Sequence, residues 1–146
     1  MTWLPKKSVV VPIDFSDSSI EAVRVASEFV ENPADLHLVH VLQPLHVAEP
    51  GMLWGTLTNS ERTKTSKVAL AARLEKESLP DGVTSTVLVG RPAQMISEYA
   101  VEVGADLIVI PSHGRSGLRR FFIGSVTEKV LRMAQCQVLV VRAKAS

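Results

Sequence analysis

The chain is poor in cysteine, in aromatic residues and in net charge, and each shortage removes a class of function. Its single cysteine, Cys136, excludes an intramolecular disulfide, so the fold must rest on its core. Cys136 precedes an apolar strand-like run and reads as an inert core thiol rather than a reactive one. Aromatic residues make up 5% of the chain and the formal net charge is +1. There is therefore neither a strong field toward membranes nor the basic, aromatic surface of a nucleic-acid binder. No apolar run approaches the ~18 residues of a membrane-spanning helix. The first residues run through Lys6 and Lys7 into a short apolar stretch that meets Asp14, too short and wrongly ordered for a signal peptide. A reducing cytoplasm is the expected compartment. No Gly-x4-Gly-Lys-(Ser/Thr) loop, Gly-x-Gly-x2-Gly fingerprint or Gly-x-Ser-x-Gly elbow occurs. His37 and His46 have no partner at metal-ligand spacing, and no Cys/His cluster exists.

What is present is a well-patterned globular chain. Its 146 residues, 46% apolar and 21% charged, suit one domain over 1–146 that buries about two-thirds of its unfolded surface. The runs 8–13, 36–42, 83–89, 107–110 and 138–142 read as strands. Helical periodicity fills the intervals. Ser18 and Glu21 have capping-box spacing before Ala22, Val23, Ala26, Phe29 and Val30. A second helix is expected over 59–78, capped by Thr58 with Glu61 or by Ser60. A third follows Gly90-Arg91-Pro92 and closes at Gly104, and a fourth starts near Gly124. Residues 43–58, with Pro44, Pro50, Gly51 and Gly55, form a long irregular connection. Strands alternating with helices predict an α/β fold: one doubly wound open sheet of five parallel strands with helices on both faces. Of the two common orders, 3-2-1-4-5 and 2-1-3-4-5, the first is expected, with a switch point between strands 1 and 4. Asp14 ends strand 1 and Pro111 follows strand 4, so ligand chemistry is expected there.

The segment from Pro111 to Thr127 carries that chemistry. Small-residue clusters at Ser112-His113-Gly114 and Gly124-Ser125 bracket a loop containing Arg115, Arg119 and Arg120. Glycines admit close backbone approach, and free N–H groups at a helix start favour anions. From spacing alone, ordinary turn glycines and phosphate contacts are equally cheap readings. Ser125 and Thr127 serve as well for helix caps as for phosphate ligands. Asp14 suits adenine or ribose contact, a metal ion held through water, or a cap of the first helix. His40, within an apolar strand, reads as a satisfied core histidine. His113 faces the loop with a structural bond and a ligand contact both open.

Seven segments, in order and over almost the whole chain, make it resemble the universal stress proteins of the adenine-nucleotide-binding kind. They are Val9 to Ser16, Leu38 to Leu42, Val89 to Pro92, Ala105 to Ile110, Ser112 to Gly117, Gly124 to Val130 and Val138 to Val141. The nucleotide motif of that family is Gly-x2-Gly-x9-Gly-(Ser/Thr). Gly114 and Gly124-Ser125 match it, while Pro111 stands at its first glycine. The resemblance implies ATP, with Mg²⁺ or Mn²⁺, as the cofactor. Adenine would lie near Pro12, Ile13, Asp14 and Val41, with Gly90 alongside, and ribose near Ile110 and Pro111. Phosphates would meet Gly114, Arg115, Gly124, Ser125, Val126 and Thr127, with His113 a further candidate for the nucleotide site, and Asp14 is the one metal candidate. Pro111 has no N–H and more bulk than glycine. A missing bond costs roughly 0.5–1.5 kcal/mol, or about three- to tenfold in affinity.

Three functions follow. The first is a stress-response regulator whose 112–123 loop orders on binding nucleotide. The second is a slow ATP hydrolase, for which Asp14 with a metal ion, or Arg115, are the only evident groups. The third is a nucleotide-free dimeric interaction protein, favoured by Pro111. In the 3-2-1-4-5 order the fifth strand is an apolar edge, so a homodimer through Val138–Arg142 is expected. The resemblance also implies dimers.

Overall fold

A computed structural model describes residues 2–44, 58–113 and 123–142. The strands are β1 (Val9–Pro12), β2 (Leu36–Leu42), β3 (Thr84–Val89), β4 (Leu107–Pro111) and β5 (Gln137–Val141). They form one five-stranded sheet in the order β3-β2-β1-β4-β5, with every pair parallel. The helices are α1 (Asp17–Ser27), α2 (Asn59–Lys76), α3 (Pro92–Glu102) and α4 (Ser125–Met133).

Alternation along the strands divides the core into two layers. Val9, Val11, Leu36, Leu38, Leu107 and Val109 pack with Ile20, Val23 and Ala26 of α1 and with Leu70 of α2. Val10, Val39, Ile108 and Ile110 pack with Ala93, Ile96 and Ala100 of α3 and with Val130 of α4. Both faces are therefore covered by helices, which is why the central strands are near-continuous Val, Leu and Ile. No described helix is long and apolar enough to cross a membrane.

Local chemistry set some boundaries differently from the patterns. The cap of α1 is Ser16, whose Oγ accepts the Ser19 N–H at 3.1 Å, rather than Ser18 in a box with Glu21. Asp14 prepares that cap, since its Oδ1 accepts both the N–H and the hydroxyl of Ser16. Helix α1 stops at Ser27, so Phe29 and Val30 reach the core from beyond it. There the Lys6 N–H donates to the Phe29 carbonyl at 2.7 Å. Asn32 caps a 3-10 turn over Pro33–Asp35 that periodicity does not reveal. Thr58 and Glu61 do form the reciprocal capping box of α2.

The N-terminal segment clasps the opposite end of the sheet from the switch point. The Trp3 indole N–H donates to Gln137 Oε1 at 2.9 Å, and the Lys6 ammonium lies 3.7 Å from the Trp3 ring centroid. The Trp3 ring also meets Phe29 edge-on at 5.7 Å.

Candidate functional site

Strands β1 and β4 separate at the switch point because the rung that would continue their ladder lacks its donors. Pairing runs Val9↔Leu107 and Val10↔Ile108 and then ends. The Ile13 N–H is given to Val39 in β2, and the Ser112 N–H to Val141 in β5, each at 2.8 Å. Since alternate residues of a strand face opposite neighbours, the nitrogens of residues 12 and 111 both point into the β1–β4 seam. Both residues are proline, so neither can donate.

Beyond the last rung lies a cavity of about 340 Å³, within the range of small-molecule sites. Its apolar wall is Val39 and Val41 of β2, Pro92 and Ile96 of α3, and Ile110. The seam supplies Pro12, Ile13, Asp14 and Pro111, and the first turn of α4 supplies Ser125, Val126 and Thr127 behind Gly124. Alternation explains the β2 pair: Val39 and Val41 share the face turned toward α3.

The first turn of α4 presents donors. Gly124 is the N-cap and offers no side-chain acceptor. The Glu128 N–H donates within the helix to the Gly124 carbonyl at 3.0 Å, whereas a helix start leaves the N–H groups before it without an intrahelical acceptor. Those groups and the helix dipole favour an anion. The Gly124 N–H donates to the Ser112 carbonyl at 2.7 Å, bringing the helix start against the end of β4. A Cβ at Gly124 would stand 3.3 Å from His113 Cα, so glycine permits this approach. Thr127 is buried, and its hydroxyl donates to the Pro111 carbonyl at 2.7 Å. Its side chain is thus spent on structure, and its backbone N–H is what it offers a ligand. Beside this turn, Ser112 Oγ and His113 Nδ1 are buried polar atoms with no hydrogen-bond partner among the described residues. Uncapped N–H groups, a close glycine contact and two buried polar atoms make this end of the cavity suited to an anion.

The loop after β1 is held from the other side. Phe15 adopts φ 67°, a strained conformation for a bulky residue. Its carbonyl accepts Arg73 Nη1 at 2.9 Å, and its ring meets His40 edge-on at 4.8 Å. The His40 Nδ1–H donates to the Ile13 carbonyl at 2.7 Å. His40 is therefore a satisfied histidine, as its strand position implies, and it also lines the cavity.

Most of the residues singled out from sequence surround this one cavity. Gly90 does not line it; it ends β3, where its N–H donates to the Leu42 carbonyl at 2.9 Å. His113 lies behind Gly124 rather than on the cavity wall. Gly114, Arg115, Gly117, Arg119 and Arg120 lie outside the described residues, as do His46 and most of the 43–58 connection. Sequence reasoning missed Val39, Gln43, Pro92 and Ile96 as lining residues. The period-2 partner of Val41 was a signal for the first, and the Pro92 helix start was a signal for the last two. Among the described residues, no three His, Cys, Asp or Glu side chains converge as a metal site.

Outside the site, two groups have shifted protonation. Burial lowers the His37 pKa below its ordinary 6.5, against an opposing pull from Asp35. Burial, followed by the Asp106 charge, raises that of the Cys136 thiol, which accords with an inert thiol.

The sequence model of the universal stress protein family matches residues 6–142. Universal stress protein MJ0531 of Methanocaldococcus jannaschii is 31% identical over 140 residues, spanning 93% of this chain and 82% of that protein. The solved structure of hypothetical protein MJ0577 is 29% identical, covers 98% of this chain and 100% of its own, and superposes with a TM-score of 0.75. A universal stress protein crystallised in complex with cAMP is 27% identical over 94% of this chain and 98% of its own, with a TM-score of 0.58.

Proposed function

The chain belongs to the universal stress protein family, and we infer that it is a regulator that binds an adenine nucleotide, ATP foremost, in the cavity between β1 and β4. The observation that carries this reading is the pairing of an apolar slot with a donor-rich helix start across one switch point. Adenine suits the wall of Val39, Val41, Pro92 and Ile96. The phosphates suit the N–H groups of Ser125, Val126 and Thr127, with Ser112 and His113 at hand behind Gly124. The cAMP complex of a relative supports a nucleotide in this fold.

Bound Mg²⁺ or Mn²⁺ would neutralise phosphate charge. Asp14 is the residue of the cavity that would hold it, through water, because Asp14 Oδ1 is already engaged by Ser16. The regulatory output is the surface of the 112–123 loop, whose end at Ser112 and Gly124 is hinged to the site. A homodimer through the edge strand β5 and residence in the cytoplasm belong to the same reading. Hydrolysis, if any, is slow, since no described residue at the cavity is placed as a water-activating base for it.

Titration calorimetry of nucleotide-stripped protein with ATP and Mg²⁺ tests this reading. Saturable binding at micromolar concentrations or below supports it. Absence of binding overturns it in favour of the second reading, a nucleotide-free interaction protein. The specific observation favouring that alternative is Pro111, buried at the seam.

A further inference from the structure

Asp14 lines the cavity from a loop that is held in place from outside it. Phe15 adopts φ 67°, unfavourable for a bulky residue, so the turn after β1 persists only through its surroundings. One peptide unit of that turn, from the Phe15 carbonyl to the Ser16 N–H, is fixed at both ends. Its oxygen accepts Arg73 Nη1 at 2.9 Å, and its N–H donates to Asp14 Oδ1 at 3.0 Å. A trans peptide is planar, with its C=O and N–H pointing in opposite directions. Turning the carbonyl to Arg73 therefore turns the N–H to the carboxylate.

Arg73, on α2, is itself anchored. Its Nη2 meets Asp17 Oδ1 at 2.9 Å and its Nε meets Glu77 Oε1 at 3.0 Å. Arg24 of α1 donates to Glu77 Oε2 at 3.1 Å. The planar guanidinium serves Phe15, Asp17 and Glu77 at once, which an ammonium on a flexible stem does less rigidly. A charged donor on the carbonyl also polarises the peptide and strengthens the bond made by its N–H. Asp17 is fully exposed, so its ion pair adds little to stability.

We propose that Arg73 is a positioning residue for the nucleotide site: across the Phe15–Ser16 peptide it aims the Asp14 carboxylate at the ligand. This rests on the nucleotide reading above. Arg73 acts on affinity through Asp14, from outside the described lining of the cavity.

The test is a double-mutant cycle, read by calorimetric titration of the stripped full chain with ATP and Mg²⁺. Arg73→Gln is expected to weaken binding about three- to tenfold, and Asp14→Ala by at least as much. The two together should bind no more weakly than Asp14→Ala alone, because no carboxylate is left to aim. Arg24→Gln breaks the outer bond to Glu77 without touching Phe15, and should bind as the unmodified chain does. Thermal unfolding checks that each variant folds. If Arg73→Gln does not, Arg73→Lys, which keeps one charge and loses the planar fork, takes its place in the cycle. Losses that simply add overturn the inference, since Arg73 would then act by another route. So does undiminished affinity in the Arg73 variant or in Asp14→Ala, and so does an equal loss in Arg24→Gln; each leaves the nucleotide reading intact. Failure of the unmodified chain to bind ATP overturns the nucleotide reading, and this inference with it.

Discussion

The Thr127 hydroxyl donates to the Pro111 carbonyl across 2.7 Å, tying the first turn of α4 to the end of β4. Thr127 is 3% exposed, so neither group has water as a substitute partner. Replacing Thr127 by Val keeps the shape and leaves a buried carbonyl short of its donor. A destabilisation of about 1–3 kcal/mol is expected, whereas Thr127→Ser should retain most of the stability. Chemical denaturation of the two variants checks this, and equal losses would show that packing by the methyl group matters more than the bond.

The edge strand gives a second prediction. Val138 and Val140 of β5 are only partly buried, and among the described residues β5 pairs with β4 alone. An apolar edge of this kind invites pairing, and the proposed homodimer would cover it. Val140→Lys should yield monomers in light scattering while circular dichroism stays unchanged. A dimer that persists would place the interface elsewhere.

The fold and the slot were legible to different depths. Runs such as Leu107–Ile110 could only be strands buried on both faces, and their alternation with helices fixed the doubly wound class. Element order alone allows 2-1-3-4-5 as well as 3-2-1-4-5; only the second brings Asp14 and Pro111 together at a switch point, and the sheet has that order. Boundaries were less legible where one side chain decides them. Ser16 caps α1 because Asp14 holds it, a contact two residues apart that a box at Ser18 and Glu21 obscures. Ile96 and Pro92 were missed because a helix face becomes a cavity wall only through tertiary packing. The roles of Pro12 and Pro111 were hidden differently. Proline at a strand end is unremarkable until register shows that both missing donors belong to one rung.

Acid sensitivity follows from His37. Its Nδ1 is buried with no partner among the described residues, and its ring lies edge-on to Tyr99 at 6.1 Å. Burial holds its folded pKa below 6.5, so the unfolded chain takes up the proton first as pH falls. The contribution of the neutral ring is complete above about pH 6.5 and is lost as pH drops through the lowered folded value. His37→Gln should flatten this part of the stability profile. Urea denaturation at a series of pH values from 7 downward reads it; parallel profiles for the two proteins would exclude His37 as the source.

The clasp at the other end of the sheet makes a fourth prediction. Trp3 combines a hydrogen bond to Gln137, an edge contact with Phe29 and a position over Lys6, whose side chain is nearly enclosed. Trp3→Ala removes all three. A loss of about 1–2 kcal/mol is expected from the aromatic and cation contacts. Trp3→Phe should recover part of it, because a ring remains over the ammonium while the donor to Gln137 is gone. Thermal unfolding of both variants checks the order, and identical midpoints would show that the exposed ring contributes little.

Gly124 separates the needs of folding from those of the site. Its dihedral angles, φ −64° and ψ 157°, suit any residue, so no left-handed strain calls for glycine there. Space does: a Cβ would lie 3.3 Å from His113 Cα and 3.6 Å from the Ser112 carbonyl oxygen. In Gly124→Ala the start of α4 must therefore shift by a few tenths of an ångström from the end of β4, lengthening the 2.7 Å bond from the Gly124 N–H to Ser112. Alanine is also a weaker N-cap than glycine, and together these should cost about 1 kcal/mol of stability. Nucleotide affinity should fall further, by about tenfold, because the N–H groups of the first turn act on phosphate only while their geometry is held. Denaturation and ATP titration of the same variant measure the two effects. An affinity unchanged despite the expected loss of stability would mean that phosphates bind away from the α4 N-terminus, and would move the candidate site off this helix.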